Sequence, residues 1–214
     1  MERSLKPELL DHLAADDPQA RQSRRDLRRL NVIMGHVRMM ASALAEACRN
    51  HPKGRIVEWG AGDGTFLLKV VQRIGLPPAT NQIVFIDRQS LISPETRQSF
   101  REMNCQVDAR AADIFEWAHG GGIEPGDIIV TNLFLHHFAA EQLSALFLEA
   151  SRSAQVLVAL EPRRAPLPLA FSRLLWLIGC NRVTRHDASV SVRAGFNRAE
   201  LSGLWPGNSP WTLR

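Results

Sequence analysis

The stretch from Ile56 to Leu67 constrains this chain more than any other. An apolar run, Ile56-Val57-Glu58-Trp59, meets glycine at every second position, Gly60, Gly62 and Gly64, and passes at once into the helical pattern of Thr65, Phe66 and Leu67. Glycine tolerates the positive φ of a sharp strand-to-helix turn, and without a Cβ it lets a ligand lie against the main chain. A plain tight turn would use the same glycines, so the later segments must decide between turn and cofactor loop. The dinucleotide fingerprint, G-x-G-x-x-G, leaves the helix N-terminus free for a pyrophosphate. Here the last spacing is shorter, and the carboxylates of Glu58 and Asp63 would repel a pyrophosphate. They favour a ligand with an amino group and a positive centre.

Four further apolar runs follow at the intervals of an alternating strand-helix chain. Ile83-Val84-Phe85-Ile86 ends at Asp87, whose carboxylate stands where both hydroxyls of a ribose could be accepted. A weaker run around Val107 leads to Asp113 and Ile114, and Asp113 on its own reads as a solvated loop residue or a helix N-cap. Asp127-Ile128-Ile129-Val130-Thr131-Asn132-Leu133 has the continuous hydrophobicity of a strand buried on both faces. It runs into Phe134-Leu135-His136-His137-Phe138, and a helix should start near Ala139. Gln155 to Glu161 gives the fifth strand. The expected class is α/β, a doubly wound and mainly parallel sheet preceded by N-terminal helices, with ligands at the carboxyl ends of the strands.

The spacing Glu58, Gly60, Gly62, Gly64 resembles the first motif of the class I S-adenosylmethionine-dependent methyltransferases, and Asn132-Leu133-Phe134-Leu135-His136-His137 is similar to their segment after the fourth strand. The resemblance spans most of the chain. It implies S-adenosyl-L-methionine as cofactor, held by Glu58, Gly60, Ala61, Gly62, Asp87, Arg88, Ala112, Asp113, Ile114, Asn132 and Leu133. Asp113 would accept from the adenine amino group, and Ile114 would pack on the ring. It implies no metal. It also implies two closing strands, whereas the sequence ends at Trp211-Thr212-Leu213-Arg214, where the sixth should be under way. The terminal hairpin is therefore expected to be incomplete or absent.

Length and composition permit one domain with additions: helices over 1–54, the cofactor-binding core over 55–161 and an acceptor-side segment over 162–214. The 214 residues are 45% hydrophobic, and no segment nears the roughly 18 consecutive apolar residues that cross a bilayer. Cys48, Cys105 and Cys180 are scattered and odd in number, which reads as reduced thiols. With no signal-like N-terminus, a cytoplasmic location is expected. The net charge of +4 draws on Arg21, Arg24, Arg25, Arg28 and Arg29, interleaved with Leu27, Leu30, Ile33, Met34, Val37 and Leu44 at helical spacing. That describes one amphipathic helix with the arginines on its wet face, and makes a nucleic-acid partner unlikely.

For an oxygen acceptor the chemistry requires a base, and His136, just past the fourth strand, is the catalytic candidate. Glu161 and Arg163 could orient an acceptor, and Asn31, His36 and Arg38 could cap the cofactor. Leu169 to Cys180 reads as a strongly apolar helix, fitting an apolar or aromatic small-molecule acceptor or a homodimer surface; a helix buried on the sheet fits as well. Methyl transfer to a hydrophobic hydroxyl compound is the leading expectation. An RNA or protein methyltransferase and an inactive cofactor-binding accessory protein stay open. Asn132-Leu133-Phe134-Leu135 lacks the paired prolines of enzymes that methylate base amino groups.

Overall fold

The computed structural model describes residues 1–207. Five strands, β1 (Ile56–Trp59), β2 (Gln82–Asp87), β3 (Gln106–Ala111), β4 (Ile128–Asn132) and β5 (Val156–Leu160), form one sheet in the order β3-β2-β1-β4-β5. Every pairing is parallel. The chain runs outward from β1 to β3, then returns to lay β4 on the other side of β1. A crevice opens at such a reversal, above the carboxyl ends of the strands.

The helices are α1 (Pro18–Ile33), α2 (His36–Asn50), α3 (Thr65–Ile74), α4 (Pro94–Glu102), α5 (Ile114–Trp117), α6 (Ala140–Ser153), α7 (Pro166–Arg173) and α8 (Arg182–Ala194). Side chains alternate across a strand, so each central strand feeds two layers. Ile56, Ile83, Phe85, Ile128 and Val130 pack with Met40 and Leu44 of α2, Leu67 and Val70 of α3, and Phe100 of α4. Val57, Trp59, Val84, Ile86 and Ile129 pack on the other face with Ile114, Leu143, Leu146 and Phe147. Burial on both faces explains why these strands lack polar alternation.

Helix starts follow local chemistry. Asp17 caps α1, accepting from the amides of Gln19 at 2.7 Å and Ala20 at 3.3 Å, with Pro18 in the first turn. Ser93 and Pro94 begin α4 in the same way. The amphipathic pattern over residues 21–44 is not one helix, however. It breaks at Gly35, whose φ of +74° ends α1 and caps α2. Ile33 and Met34, expected on the buried stripe, are exposed at the corner.

The C-terminal third departs further from expectation. Leu169 to Cys180 is not a single helix: α7 ends at Arg173, and Leu175–Ile178 forms a 3-10 turn closed by Gly179 at φ +77°. This apolar segment is exposed rather than buried on the sheet. Residues 189–194 form the end of α8. Phe196 then makes an isolated parallel bridge to Arg163 beyond the end of β5. The expected start of a sixth strand at Trp211–Arg214 lies outside the described residues, and the five strands above are those found within them.

At the amino ends of the strands, Arg55 ties β1 to β4. Its Nε and Nη2 donate to the two oxygens of the buried Asp127 at 2.8 and 2.7 Å. Losing one member of such a pair leaves the other charge without its partner. Asp127→Ala is therefore expected to lower unfolding free energy by about 3 kcal/mol in urea denaturation.

Candidate active site

The glycine turn hangs on β2. Gly60 and Ala61 both donate to the carbonyl of Ile86, at 2.9 and 3.2 Å, and Gly62 donates to Asp87 Oδ2 at 2.8 Å. Gly60 has φ +67°, and a Cβ there would lie 2.3 Å from the Phe134 ring. Gly60 is thus required twice over, by its backbone angle and by the chain crossing above it. Gly62, at φ +54°, has open space where its Cβ would be. That space belongs to a cleft lined by Ala61, Gly62, Phe85, Asp87, Gln89 and Ala111. A second hollow, over Gln82, Gln106 and Asp108, lies at the amino ends of β2 and β3, the wrong end of a parallel sheet for a ligand.

Behind the turn, Glu58 is fully buried and its Oε2 has no hydrogen-bond partner among the described residues. Burial raises its pKa well above the usual carboxylate range, and the nearby Asp63 and Asp87 push the same way. Asn132 Oδ1 is also buried without a partner, although its Nδ2 donates to Asn31 Oδ1 at 3.2 Å. Leu133, which follows Asn132, has φ +56°, a left-handed conformation that leucine rarely adopts and that tends to mark functional sites. Bare buried acceptors are costly. A ligand bringing N–H donors and positive charge would satisfy them, which is the chemistry of an amino acid ammonium.

On the β3 side, Ala112 donates to the carbonyl of Asp87 at 2.9 Å. Asp113 caps α5 by accepting from Phe115 at 2.8 Å and pairs with the exposed Arg88 at 3.0 Å. Ile114 is buried in the layer of Val57 and Trp59. These residues follow the carboxyl end of β3, and Ala111 just before them lines the cleft with Asp87 and Gly62.

Helix α1 closes over the turn by a contact that the wet-face reading of its arginines missed. Arg28 pairs with Asp63 at 2.5 Å, and Asp63 Oδ1 accepts from the amide of Thr65, the first residue of α3, at 3.1 Å. Because the helix breaks at Gly35, Asn31 and His36 both face Asn132; Asn31 Oδ1 accepts from His36 Nδ1 at 3.0 Å. Burial lowers the His36 pKa, against the opposing influence of Asn132 and Glu161. This imidazole is neutral near pH 7, with its lone pair on Nε2.

His136, in the segment after β4, lies between two carboxylates. It is buried, with Nδ1 2.8 Å from Glu161 and Nε2 3.3 Å from Glu8. Burial alone would lower its pKa, but the hydrogen bonds of Glu161 and Glu8 outweigh this and push it up to about 9. A ring protonated at neutral pH, with both nitrogens engaged, has no lone pair for a general base. Its side chain thus meets two carboxylates, Glu161 and Glu8. Glu161 also accepts from the amides of Phe134 and Leu135, at 2.9 and 2.7 Å, and so fixes the segment after β4. Glu8 belongs to an N-terminal strap that also sends Arg3 to the carbonyls of Ala194 and Phe138, at 2.7 and 2.9 Å. The first nine residues carry no periodicity that would have announced this. Ligand atoms of Glu8, His136 and His137 lie within 4.8 Å of one another, but a metal there would have to displace the His136 proton.

Solved structures share this fold. N,N-8-amino-8-demethyl-D-riboflavin dimethyltransferase (RosA) from Streptomyces davawensis superposes with a TM-score of 0.52 at 18% identity, covering 92% of this chain and 55% of its own. This chain has the fold of the class I S-adenosylmethionine-dependent methyltransferases. The S-adenosylmethionine-dependent methyltransferase SibL, in its apo form, gives 0.52 at 16% identity, covering 97% of this chain and 61% of its own. The chain thus spans little more than half the length of these methyltransferases. No protein-family model and no curated protein matches the sequence.

The His136 pair has a pH signature. A histidine whose folded pKa, about 9, exceeds its unfolded value of roughly 6.5 stabilises fully below the lower value, and the effect is lost as pH rises through the upper. The gap in melting temperature between wild type and His136→Gln should therefore shrink from pH 6.5 to pH 9.5, as read by circular dichroism.

Proposed function

We propose that this chain transfers the methyl group of S-adenosylmethionine to a small apolar acceptor. The observation that carries the reading is the pair of bare buried acceptors, Glu58 Oε2 and Asn132 Oδ1, beside the open main chain at Gly62. Glu58 and Asn132 would receive the ammonium of the methionine part, Gly60, Ala61 and Gly62 its backbone side, and Asp87 the ribose. Asp87 spends one lone pair on Gly62 and one on Gln89, at 2.9 Å, so acceptor capacity remains. Asp113, with Ala112, Ile114 and Arg88, would border the adenine. Leu133 would flank the sulfonium. The cofactor, when bound, supplies a methyl carbon open to in-line displacement.

The chain's contribution is alignment and exclusion of water. Positioning at about 3 to 3.5 Å carries much of such a rate. Where the acceptor is a hydroxyl, its proton must go to a neutral base, and His36 at Asn132 has the environment for it. His136 instead holds the segment after β4 in place through Glu161. The exposed apolar residues around α7 support an apolar acceptor.

Two measurements test this reading. Titration calorimetry with S-adenosylmethionine or its demethylated product should show binding with proton release, because a cation beside Glu58 lowers its raised pKa. Affinity should then rise with pH across the Glu58 titration, and Glu58→Gln should abolish the proton release. Absence of binding by the folded protein would remove the cofactor assignment. In a methyl-transfer screen over apolar phenols, His36→Gln should lower kcat about a hundredfold with cofactor affinity little changed. Unaltered kcat would show that His36 is not the base.

A further inference from the structure

Residues 162–186 contain five arginines and no aspartate or glutamate. Within them the large apolar side chains of α7 and of the 3-10 turn after it face solvent. Leu167 is 65% exposed, Phe171 59%, Trp176 57% and Leu177 61%. Large apolar side chains clustered at the surface mark an interaction site. Arg163, Arg173, Arg182 and Arg185 are exposed along the same segment, and only Arg164 turns inward, onto Glu200. The neighbouring acids do not neutralise them. Asp26 is buried against the Asn181 amide and Thr184, and Asp187 is buried against the amides of Leu9 and Leu10.

Charge decides what covers this face. A second copy seated by a two-fold axis would set the same arginines against themselves, and like charges facing each other oppose association. A surface of anionic headgroups over an apolar interior complements both features at once: aromatic and aliphatic side chains enter the acyl boundary while arginines stay at headgroup level. No helix among the described residues is long and apolar enough to cross a membrane, so the contact is with a surface.

We propose that the segment around α7 docks this protein on an anionic lipid surface, with Phe171, Trp176 and Leu177 entering the bilayer and Arg163, Arg173, Arg182 and Arg185 meeting the headgroups. α7 begins shortly after Glu161, at the carboxyl end of β5, on the edge of the sheet that carries the crevice. If the proposed function holds, on which this corollary rests, the acceptor is a lipid-resident molecule taken up from that surface.

The test is co-sedimentation of the full chain with vesicles of phosphatidylcholine alone and of phosphatidylcholine mixed with phosphatidylglycerol. Binding is expected to the mixed vesicles, little to the neutral ones, and release as salt is raised. Arg173→Gln should weaken binding about fivefold, and Trp176→Glu should remove most of it, while both variants keep the wild-type melting profile. Equal, negligible sedimentation with both vesicle types would overturn the proposal. So would a wild-type dimer in sedimentation velocity that Leu177→Glu splits without any vesicle binding, since the occupant would then be a second copy. Cofactor calorimetry of Trp176→Glu, without vesicles, is expected to match wild type. Failed docking with intact calorimetry would sink the docking alone, and failed calorimetry with intact docking would sink only the methyl-transfer reading.

Discussion

The turn after β1 has its shape because it is bonded to the neighbouring strand. Two amides on the Ile86 carbonyl and a third on the Asp87 carboxylate fix Gly60, Ala61 and Gly62 against the end of β2. From this follow the space above Gly62, the approach of Phe134 to Gly60 and the exposure of main chain to a ligand. A single register, Trp59 opposite Ile86 on one side and Thr131 on the other, thereby places Glu58, Asp87 and Asn132 around one crevice.

Electrostatics divides the site in two. At the crevice, acceptors without partners and a buried carboxyl with a raised pKa make an environment that a cation would relieve. A few residues further along, His136 is already relieved by two carboxylates, and its buried charge holds the N-terminal strap to the segment after β4. The same residue type therefore serves opposite ends: His36 stays neutral beside amides, and His136 stays protonated between carboxylates.

Much of the core was legible in sequence because its signals are local. Four apolar runs and one weaker run around Val107 mark five strands, and the alternate glycines after Trp59 mark the turn. Asp17-Pro18 marks the start of α1, since a cap acts within its own turn. Asp113 does act as a helix cap. The break at Gly35 was less visible, because a lone glycine in an amphipathic pattern does not tell whether the helix continues. The apolar run after Arg164 gave hydrophobicity without direction, and the fold turns that stripe outward.

Sequence by itself determined the class of sheet, the position of the glycine turn and the acidic character that disfavours a pyrophosphate, since these rest on residue types acting on their immediate neighbours. Tertiary structure alone decided the ionisation of the two histidines. A pKa depends on burial and on groups distant in the chain, and Glu8, Glu161 and Asn132 come to those rings only when the sheet and the strap have closed. It likewise decided that Arg28 reaches Asp63 while Arg173 faces water, because a charged side chain finds or lacks a partner through packing that no local pattern encodes.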